Sequence, residues 1–270
     1  MDQLKRGGQK YWQILPLGPT GYGDSPYQSF STFAGNPFYI DLEALIQEGL
    51  LTEQECDSVD FTGHPSYVEY EKIYRGKFGV LRQAFERYVP DKDYEDFVKE
   101  NAFWLEDYGL YMAIKNSLDG VSWGEWEDSL KRRVPEVLEQ KRRELEEEVR
   151  FVCFQQYEFT KQWAKLKKYA NDQGVRIIGD IPIYVAFDSA DAWTKINENV
   201  EKIKIAKDNV AVADENLDLN TFSYNEGRLT ILDVLSAQAA WISAYTSMIT
   251  VWHSQHVAIS DYNKATAYIK

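Results

Sequence analysis

Two short apolar runs frame the first two-thirds of the chain. Residues 11–17 (YWQILPL) are apolar and aromatic and stop at Gly18-Pro19-Thr20-Gly21, and residues 175–185 (VRIIGDIPIYV) begin just after Gly174. Each run reads as a buried strand bounded by turn residues. Between them the apolar spacing is helical, over residues 42–50, 70–88, 94–99, 103–116 and a long run from 135 to 171. That last helix opens strongly charged (KRRELEEEVR) and then turns apolar and aromatic at Phe151, Phe154, Tyr157, Phe159 and Trp163. Its first half reads as a solvated face and its second half as a surface that packs on the strands. A strand, a helical crossover and a second strand make a parallel βαβ unit. A complete eight-stranded β/α barrel takes about 250 residues, so the pattern predicts an incomplete (β/α)8 barrel fragment, two strands with a helical insertion at residues 38–145.

The pattern changes near residues 194–197. Seven of the eight prolines precede Gln140, and only Gly227 among the sixteen glycines lies beyond Gly179. A long helical hairpin needs few turn residues, whereas a compact α/β domain needs many. Ile203, Ala206, Val210, Ala213 and Leu217 are spaced 3, 4, 3, 4, with Ile196 and Val200 ahead of them. Beyond Gly227, Leu235, Ile242, Tyr245, Ile249, Trp252 and Ile259 keep a heptad logic that predicts the facing side of the same seam. The fold class read from this is α/β and helix-rich: residues 1–194 as the barrel fragment, residues 195–270 as a coiled-coil-like α-helical hairpin with a capacity for helix–helix self-association.

Composition narrows the partners. Of 270 residues, 44% are hydrophobic and 14% aromatic, enough for a sizeable core. A net charge of −13 repels phosphate backbones, so no nucleic acid is expected. Cys56 and Cys153 are far apart in sequence and the chain has three histidines, so neither a disulfide framework nor a metal site is expected, and no cofactor motif is present. Residues 234–260 run for 27 positions without a formal charge, but the Ser, Thr, Gln and His residues spread among them argue for a helix covered by protein, with no membrane span. The N-terminus lacks the apolar core of a secretory signal, which leads us to expect a cytoplasmic protein.

Candidate chemistry gathers at the ends of the two strands. Residues 18–37 (GPTGYGDSPYQSFSTFAGNP) follow the first strand and mix tyrosines with short polar groups. Such a loop suits a sugar, whose C–H face lies on a ring while its hydroxyls take several hydrogen bonds. A loop merely stiffened by Gly and Pro fits the composition as well. Gly21-Tyr-Gly-Asp has neither GxGxxG spacing nor the Lys-Ser/Thr of a P-loop. At the second strand, Asp180, Asp188 and Asp191 lie near the strand end, as paired carboxylates of a glycosyl transfer site would, or as backbone-capping groups. His64, His253 and His256 form no Ser-His-Asp or Cys-His pattern.

Three segments in order, YWQILPLGPTGYGDSPYQSFSTFAGNPFYIDL, NAFWLEDYGLYMAIK and RIIGDIPIYVAFDSADAW, closely resemble the 4-α-glucanotransferase (amylomaltase) family over residues 4–193. The resemblance implies a retaining glycosyltransferase acting on α-1,4-glucan or malto-oligosaccharide. It implies that Tyr27 is the ring that stacks on the sugar, with Ser25 and Asp24 beside it, and that Asp180 and Asp188 lie on the substrate side of the next strand. Phe187 departs from the His or polar residue usual before DSAD. No match is found in residues 192–270 for the family's R-I-D-H-type nucleophile, G-E-D-L-G-type acid/base or H-D-type motifs, so no catalytic residue is carried over and the chain alone is expected to be inactive. Farther on, YNEGRLTILDVLSAQ at 224–238 resembles the last repeat of outer-membrane efflux (TolC-like) proteins. An ordinary antiparallel hairpin, or two gene segments joined near Thr194 without an evolved function, are the competing readings of that half.

Overall fold

The computed structural model of the chain describes residues 1–21, 25–61, 63, 66–180 and 186–267, and side chains throughout these except at 196–201 and 255–267. Contacts divide it into two units, Met1–Asp191 and Ala192–Lys270.

In the first unit a short helix α1 (Asp2–Arg6) leads into strand β1 (Tyr11–Gln13). Helices α2 (Leu42–Gln47), α3 (Glu53–Asp57), α4 (Tyr70–Arg87), α5 (Lys92–Glu100), α6 (Ala102–Ser117), α7 (Asp128–Lys131), α8 (Pro135–Glu144) and α9 (Glu146–Asp172) follow, and then strand β2 (Arg176–Ile178). The strands pair in parallel, Tyr11 with Arg176, Trp12 with Ile177 and Gln13 with Ile178, as a βαβ crossover requires. Both are shorter than the apolar runs that announce them. Beyond Ile14, whose N–H still donates to Ile178, Leu17 instead accepts from the N–H of Asn36 and so belongs to the following loop. Of the second run, 181–185 lies outside the described residues.

Helix starts follow their capping chemistry. Asp41 accepts from the N–H of Glu43, Asp91 from that of Tyr94, and Thr52 with Glu55 closes a reciprocal capping box. The run at 135–171 is two helices, not one, because the backbone leaves helical geometry at Leu145 (φ −112°, ψ 21°). Helix α9 is the hub. Phe151 and Phe154 close a cluster with Ile40, Leu45, Leu51, Val80, Leu81 and Ala84, while Cys153 and Tyr157 join Phe97 and Leu105. Gly109 lets α6 approach α9 closely, since a Cβ there would stand 3.2 Å from Val149 and 3.4 Å from the Cys153 sulfur. At its end, α9 stops on Gly174 at φ +78°, with the Val175 N–H returning to the Ala170 carbonyl, and this aims the chain into β2.

The second unit is an antiparallel pair, α10 (Ala190–Asn225, its first two residues in the first unit) and α11 (Ile231–Ala267). Helix α10 runs unbroken through the expected junction at 194–197. The turn is a glycine at φ +70°, Gly227, with Arg228 N–H bonded to the Ser223 carbonyl. Thr230 and Asp233 then cap α11. On α10 the described part of the seam is the expected one: Ala206, Val210 and Ala213 are buried, Ile203 and Leu217 half-buried, and the side chains of Ile196 and Val200 lie outside the described residues. On α11 it is not. Val234, Ala237, Trp241, Ala244, Tyr245, Met248 and Val251 are buried or half-buried, whereas the expected Leu235, Ile242, Ile249 and Trp252 are exposed. Tyr245 alone of the described expected set lies in the seam, and the side chain of Ile259 is outside the described residues. Two apolar stripes interleave on α11, and the one that packs carries Trp241, for which Ala206, Val210 and Ala213 on the facing helix leave room and whose indole N–H donates to Asp214. Among the described residues no helix is long and apolar enough to cross a membrane.

Candidate functional site

The loop after β1 is built from its own hydroxyl groups. Thr20 and Ser29 form an antiparallel bridge, Gly21 N–H donates to the Gln28 carbonyl, and Gln28 N–H donates to that of Ser25. The Ser25 hydroxyl accepts from the N–H of Tyr27 at 3.4 Å, fixing the ring just after it. Buried Ser29 donates its hydroxyl to the Ser31 carbonyl, and Ser31 in turn accepts from Phe33 N–H. These bonds replace the sheet ladder that the loop lacks.

Three anchors dock the loop. Gln156 of α9 grips Gly35 with both ends of its amide, accepting from the N–H at 2.8 Å and donating to the carbonyl at 2.9 Å. Only glycine fits here, because a Cβ would stand 2.0 Å from the Phe159 ring. Asp191, at the head of α10, accepts from Thr32 through both backbone N–H and hydroxyl. The backbone N–H groups of Ala186 and Ala190 donate to the Ser29 and Phe30 carbonyls, joining the loop after β1 to that after β2.

Tyr27 and Asp180, assigned from separate motifs, meet. The phenol donates to Asp180 Oδ2 at 2.8 Å, and the ring stays 39% exposed. That hydrogen bond, with the nearby negative charge, raises the phenol above its ordinary pKa and keeps it a donor. Ser25 lies two residues away, half-buried, whereas Asp24 and His64 lie outside the described residues.

Asp188 sits elsewhere. It accepts from the Tyr111 hydroxyl at 2.7 Å, the Trp123 backbone N–H at 3.2 Å and the Lys115 ammonium. Lys115 is almost wholly buried and donates also to the Gly120 carbonyl at 2.8 Å. Burial, and then the Asp188 charge, push the Tyr111 hydroxyl far above its ordinary range. The Trp123 indole donates to the Phe187 carbonyl, and its ring lies 4.5 Å from that of Phe187. Phe187, a departure in the sequence pattern, is thus packing material for the segment that carries Asp188.

The sequence reading missed Lys115, Tyr111, Trp123 and Gln156, which hold the two loops without facing solvent. A concavity of about 550 Å³ in the first unit, among Phe85, Tyr88, Tyr94, Arg143 and Arg150, is lined by none of the site residues. Among the described residues no three His, Cys, Asp or Glu side chains cluster as metal ligands.

Comparison with known proteins follows the first unit. A family described as 4-alpha-glucanotransferase matches residues 1–200. A 4-alpha-glucanotransferase of Clostridium butyricum is 43% identical over 213 residues, covering 76% of this chain and 44% of that protein. One from Streptococcus pneumoniae is 49% identical over 197 residues, 72% of this chain and 39% of its own. The solved structure of an amylomaltase from Streptococcus agalactiae in complex with acarbose aligns with a TM-score of 0.68 at 40% identity, over 72% of this chain and 40% of that one. The chain thus spans about two fifths of the length of these relatives.

Proposed function

The chain belongs to the 4-alpha-glucanotransferase family, and from that premise we propose that its residues 1–194 form an incomplete β/α barrel segment carrying one sugar-facing wall of an α-1,4-glucan transferase. The wall is the loop at 18–37 backed by the loop after β2. Tyr27 offers its ring to the C–H face of a glucosyl unit, Asp180 holds the phenol in place, and Asp24 and Ser25 supply hydrogen bonds beside it. The observation that carries this reading is the Tyr27–Asp180 bond at 2.8 Å beneath a ring that remains accessible. Asp188 acts as a positioning residue for the second loop, since its oxygens are engaged by Lys115, Tyr111 and Trp123.

Transfer itself is a separate matter. Retaining chemistry needs two carboxyl groups about 5–5.5 Å apart on opposite sides of the scissile bond. Asp180 is engaged by a phenol and Asp188 by an ammonium, so the chain on its own binds malto-oligosaccharide weakly and does not cleave it. Calorimetric titration with maltoheptaose tests the binding: Tyr27→Ala should lose about 1 kcal/mol or more. Equal affinity of the variant and the parent chain would remove the stacking role. Glucose release from maltotriose, abolished by Asp180→Asn or Asp188→Asn, would overturn the inactivity.

Residues 195–270 we read as a separate helical module similar to efflux-protein hairpins, on the strength of the Gly227 turn and the two long helices it joins. Sequencing the source DNA across the codons for Trp193 and Asn199 tests whether the two segments share one gene.

A further inference from the structure

Helix α11 has two apolar faces, and the hairpin uses one of them. Leu232, Leu235, Ala239, Ile242, Thr246, Ile249 and His253 are spaced 3, 4, 3, 4, 3, 4, and all seven are exposed. The large ones are far from covered: Leu232 is 69% exposed, Ile242 52% and Ile249 61%. This is a heptad stripe, apolar at Leu232, Leu235, Ala239, Ile242 and Ile249, the pattern that seats one helix on another.

We infer that this outer face of α11 binds the same face of a second copy of the chain, in an antiparallel two-fold pair centred on Ile242. Three observations choose that occupant. First, the large side chains of the stripe pair off about Ile242: in an antiparallel pair Ile242 meets its own copy, Leu235 meets Ile249 of the second copy, and Leu232 falls opposite Trp252, which is exposed beside the stripe. A self-complementary patch of this kind is what a two-fold dimer uses. Second, residues 234–260 contain no Lys, Arg, Asp or Glu, so the face meets its own copy without like-charge repulsion and offers a charged partner no handle. The chain's −13 is carried mostly upstream, because residues 197–270 hold six cations and nine anions. Third, the size is right: from Leu232 to His253 the stripe is about 32 Å long. That length spans about three heptads of a helix–helix seam. The outer face of α10 fails the same criteria. Ile205, Val212 and Leu219 recur there once per heptad, with Asp208, Glu215 and Asp218 exposed among them.

Sedimentation of the full chain at micromolar concentration tests the pairing. The parent should run at twice its 31.3 kDa, and Ile242→Glu, or Ile249→Lys as a second variant, should halve that mass while circular dichroism keeps its helical signal. Val212→Glu on the outer face of α10 should leave the dimer intact. Ile242→Cys should cross-link to itself with a short bismaleimide, as should an equimolar mixture of Leu235→Cys and Ile249→Cys, whereas the parent, whose thiols Cys56 and Cys153 are half-buried and buried, should not. A parent that sediments as one chain, a dimer that survives both charged variants, or one dissociated by Val212→Glu would overturn the proposal. So would a dimer in which Ile242→Cys stays uncross-linked.

Discussion

Replacing Asp188 by alanine tests whether this carboxylate builds the site or faces the sugar. Its partner Lys115 is 7% exposed at the side chain, and Asp188 itself 29%. Removing one member of a buried ion pair costs about 3–5 kcal/mol, most of it the penalty of a charge left without its counter-ion. The Gly120 and Val121 carbonyls still receive the ammonium and pull the figure down, while the buried Tyr111 hydroxyl loses this acceptor and adds about 1–3 kcal/mol. We expect Asp188→Ala to lower the unfolding free energy by about 3–5 kcal/mol, a large share of the 5–15 kcal/mol typical of a domain. Urea unfolding followed by tryptophan fluorescence reads this directly. Asp188→Asn keeps an oxygen for Tyr111 and should fall between the two. The double variant Lys115→Met/Asp188→Leu removes both charges and should recover most of the loss. If Asp188→Ala unfolds within about 0.5 kcal/mol of the parent, as an ordinary surface substitution does, the positioning role is wrong and the carboxylate returns to the sugar.

Burial lowers the Lys77 ammonium to about 8, with Asp41 opposing the shift, while its nitrogen donates to the Phe38 carbonyl. The unfolded chain therefore binds more protons between pH 8 and 10.5, so stability should rise with pH across that window, and Lys77→Met should flatten the rise in a series of melting temperatures. The Arg87 guanidinium, with the Thr52 bonds, lowers Glu55 from 4.5 to about 2. Its contribution is present above the higher value and lost as pH falls toward the lower, so Glu55→Gln should melt lower than the parent at pH 6 and converge with it near pH 2. Gly35→Ala should cost about 1–3 kcal/mol in urea unfolding, because the Phe159 ring must leave its place, and a neutral result would show that the loop does not rest on α9 as described.

Legibility in the sequence tracked the kind of force involved. Strand and helix positions in the first unit follow from apolar runs and turn residues, and the contact between Tyr27 and Asp180 joins two residues that the family resemblance singles out in separate segments. Lys115 was hidden at the end of an apolar helix, where a lysine ordinarily serves the last carbonyls, and nothing nearby in sequence announces Asp188 as its partner. The break at Leu145 has no proline or glycine to mark it, and the charged stretch around it has no apolar period to lose. The seam of α11 differs from the expected one because two apolar stripes interleave on this helix, the outer with Leu235, Ile242 and Ile249 and the inner with Val234, Trp241, Tyr245 and Met248, and heptad spacing alone does not choose between them.

The pairing of β1 with β2 has a kinetic consequence. Tyr11 and Arg176 stand 165 positions apart, and closing so long a loop from an open chain costs roughly 4–5 kcal/mol of entropy, against three residues of ladder on each strand. The helices between must first gather on α9 and bring Gly174 within reach, so the ladder forms late and is an early element to open. Since the Tyr27 loop leaves from one strand and Asp180 from the other, the wall proposed to face the sugar is assembled in that last step. Amide hydrogen exchange should find Ile14 and Arg176, which bond across the ladder, exchanging before the Phe151 to Tyr157 core of α9 does.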